Sequence, residues 1–238
     1  MSQYIADVHR LIDEMVEANT SSLPAVADVI AQSLADDGVL HVFGSGHSSL
    51  LAQEIFYRAG GLAPINAMLD VNLTVFGTSR PTWVERLEGY ADSIFASYDV
   101  RPGEVLLIIS NSGVNPVPID MATGARERGL VPVAMGSASV YADADSRHST
   151  GQSLFELADH VLDTCVPWGD AIAEVGEVQT GAVSTLLGSA LLNMLTIEIV
   201  QRIGPGAPVF VSQNIPGGDA ANASLIERYR GRIPLMKP

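Results

Sequence analysis

The stretch Val105-Leu106-Leu107-Ile108-Ile109-Ser110-Asn111-Ser112-Gly113-Val114-Asn115 decides how this chain folds. Five consecutive apolar residues are too few for a helix, and a polar, glycine-containing turn closes them off. That pattern predicts a strand buried on both faces, as in a parallel sheet. Pro116 to Arg128 follows with helical spacing and a proline at its start, where a missing N–H costs nothing. Two serines, an asparagine and a glycine between a strand and a helix N-terminus suit an anion. Hydroxyls donate, glycine lets the backbone approach closely, and the first-turn N–H groups carry the positive end of the helix dipole. The same residues also suit an ordinary N-cap, and this stretch alone leaves both readings open.

A second unit of the same kind lies upstream. Val39 to Phe43 reads as a short strand, Gly44-Ser45-Gly46-His47-Ser48-Ser49 as a polar turn, and the residues up to Ala59 as a helix. The dinucleotide fingerprint would need a third glycine at position 49, where this chain has Ser49, so a pyrophosphate-binding turn is excluded. Hydroxyls in place of glycine suit a small terminal phosphate.

Around these two units the periodicity predicts helices over residues 3–19 and 23–34, a strand over 63–66, and an irregular excursion over 67–81. It predicts a helix over 83–98, a strand over 131–135, a polar mobile loop over 138–152, and a weak strand over 160–163. Residues 166–177 read as irregular, 178–203 as one long helix, and 209–212 as a possible last strand. A closing helix runs through Tyr229 after Gly217-Gly218. Strands alternating with helices through short polar turns define an α/β doubly wound parallel sheet, in which ligands bind at the carboxyl ends of the strands. No linker divides the chain, so the expectation is one domain, residues 23–238, with an N-terminal helical extension, residues 1–22.

Composition narrows the function. At 238 residues and 47% hydrophobic the chain can bury a substantial core. A formal charge of −14 argues against nucleic acid or an anionic membrane surface as partner. The only lysine is Lys237, next to the end, which excludes a buried Schiff-base lysine and a Walker-type loop. The single cysteine, Cys165, permits no internal disulfide and fits a reducing, cytoplasmic location. Residues 1–15 contain acidic side chains and no apolar run, unlike a signal peptide. The apolar run from Leu186 to Val200, interrupted by Asn193 and Glu198, is expected to fall short of a membrane span.

At its two polar turns the chain resembles the sugar isomerase (SIS) domain family, whose members include phosphoheptose isomerase, arabinose-5-phosphate isomerase, the isomerase half of glucosamine-6-phosphate synthase and N-acetylmuramic acid 6-phosphate etherase. Gly44-Ser45-Gly46-His47-Ser48 is similar to the family's first glycine/serine turn, and Ile109-Ser110-Asn111-Ser112-Gly113-Val114-Asn115 to its second. The likeness covers roughly residues 23–203 and is greatest to a bacterial branch that is phosphosugar-binding or phosphoheptose-isomerase-like. It implies a flavodoxin-like domain, usually a homodimer or homotetramer, binding a small-molecule sugar phosphate. By position, Ser48 or Ser49, Ser110, Asn111, Ser112 and Asn115 would contact the phosphate.

Aldose–ketose isomerisation moves a proton between neighbouring carbons and needs a base, with no metal and no cofactor. Lyase chemistry such as ether elimination uses the same proton abstraction, and a sugar-phosphate sensor would lack the base altogether. Candidate groups are His47 inside the first turn, Glu54 about two helical turns on, and Glu198. The last lies among Leu195, Ile197, Ile199 and Val200, where a carboxylate is costly to bury; by the family resemblance a late-helix glutamate serves as base. Each has an ordinary structural role open to it, as cap or solvated helix face. Asp170, Glu177 and Asp219 could complete a site or cap helices. The five histidines (His9, His41, His47, His148, His160) lack a close pair of metal-ligand spacing, and Cys165 has no evident base beside it.

Overall fold

A computed structural model of the chain describes residues 2–76 and 79–237; Gly77 and Thr78, within the expected excursion, lie outside the described residues. The elements run α1 (Ser2–Ala18), α2 (Ser22–Ala35), β1 (Leu40–Gly44), α3 (Ser48–Ile55), β2 (Ile65–Met68), α4 (Arg80–Val84), α5 (Tyr90–Phe95), β3 (Val105–Ile109) and α6 (Pro116–Glu127). They continue with β4 (Val131–Gly136), α7 (Leu154–Leu157), β5 (His160–Asp163), β6 (Ala171–Val175), β7 (Val178–Ala182), α8 (Ser184–Ile203) and α9 (Gly218–Tyr229). Five strands form one parallel sheet in the order β2-β1-β3-β4-β5, the flavodoxin-like order.

Why Val105–Ile109 reads as an unbroken apolar run is now explicit. Side chains alternate across a strand, so Val105, Leu107 and Ile109 enter the core under α1, α2, α3 and α8. Leu106 and Ile108 enter the opposite core, with Ala91, Ile94 and Phe95 of α5 and Val117, Met121 and Ala125 of α6. Every residue of β3 is buried. A third, smaller core gathers Val39, Ala63, Phe210, Tyr229 and Ile233 where the C-terminal segment docks.

That docking is reinforced by a buried polar network at the amino ends of the strands. His41 Nε2 lies 2.9 Å from Glu104, Asn66 Nδ2 lies 3.0 Å from His41 Nδ1, and Arg232 donates to Glu104 at 2.7 Å. The Val39 and Arg101 N–H groups donate to the same carboxylate at 3.0 and 2.8 Å. Burial pushes the Glu104 carboxyl up, but the hydrogen bonds from His41 and Arg232 outweigh it and hold the group below its ordinary value.

Several expectations are corrected. Residues 171–182 form an exposed antiparallel hairpin, closed at Gly176 with φ 64°, so the long helix starts at Ser184 and not at residue 178. The helix expected over 83–98 is split into α4 and α5, with Gly89 left-handed between them. The strand expected at 209–212 is a single antiparallel bridge from Val209 to Leu62. By length and apolar composition α8 does reach the dimensions of a membrane span. Here its buried side, from Leu187 to Ile199, packs into the core shared with α2 and α3.

Candidate functional site

Strand order reverses between β1 and β3, which places the two polar turns side by side at the carboxyl ends of adjacent parallel strands. They meet at a cleft of about 20 Å³ lined by His47, Ser48, Leu51, Ile109, Asn111, Thr164, Ser184 and Thr185, among others. Close packing shapes it. A Cβ on Gly44 would stand 2.5 Å from the Ser48 carbonyl oxygen, and one on Gly136 only 1.9 Å from that of Ser110. Glycine at both places lets each strand end and its neighbouring turn lie in contact.

The donors differ from the sequence expectation. On α3, the Ser48, Ser49 and Leu50 N–H groups are bonded to the carbonyls of Ser45, Gly46 and His47 at 3.1 Å each. On α6, Pro116 and Pro118 have no N–H, and that of Val117 donates to the Glu85 carbonyl at 3.0 Å. Neither helix therefore offers its first-turn amides. The open donors come from the second turn itself, where Gly113 at φ 66° curls the backbone and the Asn111, Ser112, Val114 and Asn115 N–H groups have no partner among the described residues. Backbone amides clustered on one turn in this way are suited to holding an anion.

The side chains sort in the same way. Ser49 is buried and donates to the Gly46 carbonyl at 2.7 Å, so of the first-turn pair it is Ser48 that faces the cleft. Ser110 is buried, and its Oγ accepts the Gly113 N–H at 3.2 Å while keeping its own proton free to donate. Ser112 is half-buried at the turn. Asn115 accepts from Arg147 at 2.6 Å, which leaves its amide NH₂.

His47 is exposed at the cleft and is its only titratable lining residue among the described residues. Glu54 is paired with Arg58 and borders a different small cavity, beside Asn193 and Thr196. It lies six residues past Ser48 on α3, about 9 Å along the axis. Glu198 is not brought to the cleft: it pairs with Arg202 at 2.5 Å, fourteen residues and about 21 Å along α8 from Ser184. Asp170 caps α8, accepting from the Val183 and Ser184 N–H groups at 2.9 and 2.7 Å. Glu177 falls in the hairpin turn, and Asp219 in the first turn of α9.

Three groups escaped sequence reasoning. Glu85 accepts from Ser45 Oγ at 2.5 Å and, through its carbonyl, from Val117, so it couples the first turn to α6. Arg147 is held to the second turn through Asn115 and the Val114 carbonyl, 2.9 Å from its N–H. The segment expected to be a mobile loop is further tied down by His148 on Asp120 at 3.0 Å and by Ser149 on Glu88 at 2.7 Å. Thr164, at the end of β5, is buried with its hydroxyl unpartnered. Nothing in local sequence signals these three, because each acts across the fold. Beside Thr164, burial and the Asp163 carboxylate push the Cys165 thiol up to about 11, so it is no nucleophile at neutral pH.

A larger cavity, about 560 Å³, lies elsewhere, between α2, the end of α8 and α9. Its two arginines are already engaged, Arg202 by Asp28 and Glu198 and Arg228 by Asp37. The switch point, where four open amides cluster on one turn, is the site we assign.

A flavodoxin-like sheet whose switch point carries two serine-rich turns defines a class of small-ligand α/β domains. The SIS domain family model matches residues 3–137, more than half of the chain, and the chain belongs to that family. A UPF0309 protein of Caldanaerobacter subterraneus subsp. tengcongensis is 38% identical over 239 residues, covering 97% of each chain. Among solved structures, a phosphoheptose isomerase from Francisella tularensis has the same fold at TM-score 0.55 and 17% identity, over 84% of this chain and 96% of that one. The sugar isomerase domain of an RpiR transcription factor from Sphaerobacter thermophilus is similar at TM-score 0.51 and 17% identity, over 97% of both chains.

Proposed function

We propose that the protein binds a sugar phosphate at the carboxyl ends of β1 and β3 and interconverts its aldose and ketose forms. The observation that carries this reading is the convergence of His47 and Ser48 from one turn and Asn111 from the other on a single cleft at the switch point. The phosphate rests on the amides of Asn111, Ser112, Val114 and Asn115 and on the hydroxyls of Ser48, Ser110 and Ser112. These are neutral donors, suited to a chain with no usable lysine. His47 takes the proton from C2 of the aldose, giving an enediol(ate), and returns it to C1; a second proton passes from O2 to O1. Glu54, farther along α3, is the second candidate for this transfer. We read the protein as a cytoplasmic homo-oligomer, whose association would cover Ile5 and Val16 of α1 and Leu186 and Ile197 of α8, all exposed in one chain.

One observation favours a second reading, a sugar-phosphate sensor without turnover: no carboxylate lines the cleft among the described residues. Incubation with pentose, hexose, hexosamine and heptose phosphates in heavy water separates the two. Deuterium at C1 or C2 of an isomerised product supports the isomerase, and release of a leaving group would indicate elimination. Ligand-induced thermal stabilisation with no exchange across the panel would leave the sensor.

A further inference from the structure

We propose that Thr164 and the start of α8 form a third wall of the anion site and receive one oxygen of the ligand's phosphate. This rests on the sugar-phosphate reading of the same cleft. Two independent observations point there. First, α8 differs from the other two helices that begin at the site. Its Val183 and Ser184 N–H groups are taken by Asp170 and that of Leu187 by the Val183 carbonyl, but those of Thr185 and Leu186 have no partner among the described residues. These open amides carry the positive end of a 20-residue helix, whereas α3 and α6 have spent or lack theirs. The Asp170 carboxylate is not among the groups lining the cleft.

Second, Thr164 is 4% exposed, lines the same cleft, and its Oγ1 has no hydrogen-bond partner. A buried hydroxyl left unsatisfied is a cost to the fold, since valine would fill the same space without it. It sits at the end of β5, two strands from the turn on β3, so no backbone geometry of either phosphate turn requires it. A cleft of about 20 Å³ admits one oxygen-sized group. The phosphate then sits at the mouth, with two oxygens on the second turn and Ser48 and one inside on Thr164 and the α8 amides.

The test is calorimetric titration of inorganic phosphate and of a hexose 6-phosphate into the wild type, Thr164→Val, Thr164→Ser and Ser112→Ala, with thermal unfolding of each unliganded protein. Hydrogen bonds to a charged group carry enough energy that Thr164→Val is expected to weaken both ligands about tenfold or more. Its unliganded melting temperature should equal or exceed the wild-type value, and Thr164→Ser should keep wild-type affinity. If Ser112→Ala weakens binding and Thr164→Val does not, the third wall is wrong and the two-turn reading stands. Loss of affinity for the sugar phosphate alone would move Thr164 off the phosphate and also overturn the proposal. A wild type that binds neither ligand would overturn both readings.

Discussion

Replacing Gly136 by alanine should disable the proposed site from β4, a strand outside the turn's own sequence that packs directly against it. The added Cβ would lie 1.9 Å from the Ser110 carbonyl oxygen, about 1.5 Å short of the 3.4 Å at which ordinary contact begins, and 2.9 Å from Phe155 Cζ. The phenyl ring can rotate away; the carbonyl cannot. The Ser110 N–H is bonded to Met135 at 3.0 Å and the Asn111 carbonyl to Ser137 at 2.9 Å, so any shift of the turn strains both ladder bonds. Overpacking of this kind costs about 3 kcal/mol, which for a chain of this size lowers the melting temperature by roughly 6–12 °C. Urea unfolding and phosphate titration of Gly136→Ala provide the assay. Stability should fall by about that amount while phosphate affinity drops at least tenfold. A variant within 1 kcal/mol of wild type that binds phosphate normally would refute the claim that close strand–turn packing fixes the donors.

Other outcomes follow from the same structure. Glu104→Gln should cost about 3 kcal/mol at pH 7, because it leaves Arg232 and His41 buried without their carboxylate. Since the folded carboxyl is held below its ordinary value, this stabilisation is complete above about pH 4.3, the usual unfolded value. It is lost as the pH falls through the lower folded value, so urea curves of wild type and variant should converge as the medium is acidified below the unfolded value. His47→Asn should lower isomerisation by about 10²–10⁴-fold with phosphate affinity nearly unchanged, whereas Glu198→Gln, far from the cleft, should alter turnover less than twofold; steady-state kinetics on the active substrate distinguishes the two. Leu107→Ala, at the centre of the sheet, should destabilise by about 2–5 kcal/mol in chemical denaturation. Light scattering should find an oligomer, and Ile197→Glu should shift it toward monomer.

Much of the fold could be read because its strongest signals are local. A doubly buried strand must be continuously apolar, and Val105–Ile109 is; the polar turns follow at once, and together they locate the switch point. The failures have a common cause. The hairpin over 171–182 is exposed on most of its length, so no buried face imposes an alternating pattern, and its residues merged with the apolar helix behind them. The break at Gly89 is a conformational choice that helical periodicity does not register. The candidate donors Ser48, Ser110 and Asn111 could be named from turn chemistry, but which N–H groups remain open could not. That depends on tertiary bonds, such as the one from Val117 to Glu85, and on Asp170 capping α8 from across the hairpin. Glu198 drew attention because its neighbours are apolar, yet position along α8 and pairing with Arg202 account for it.

Everything proposed for this protein turns on phosphate being held where the β1 and β3 turns meet. Amide chemical shifts of the ¹⁵N-labelled protein during titration with a hexose 6-phosphate test it most directly. The largest shifts are expected at Asn111, Ser112, Val114 and Asn115, with Thr185 and Leu186 moving alongside them. Shifts centred instead on the Arg202 and Arg228 groove, or no shifts at millimolar ligand, would contradict it.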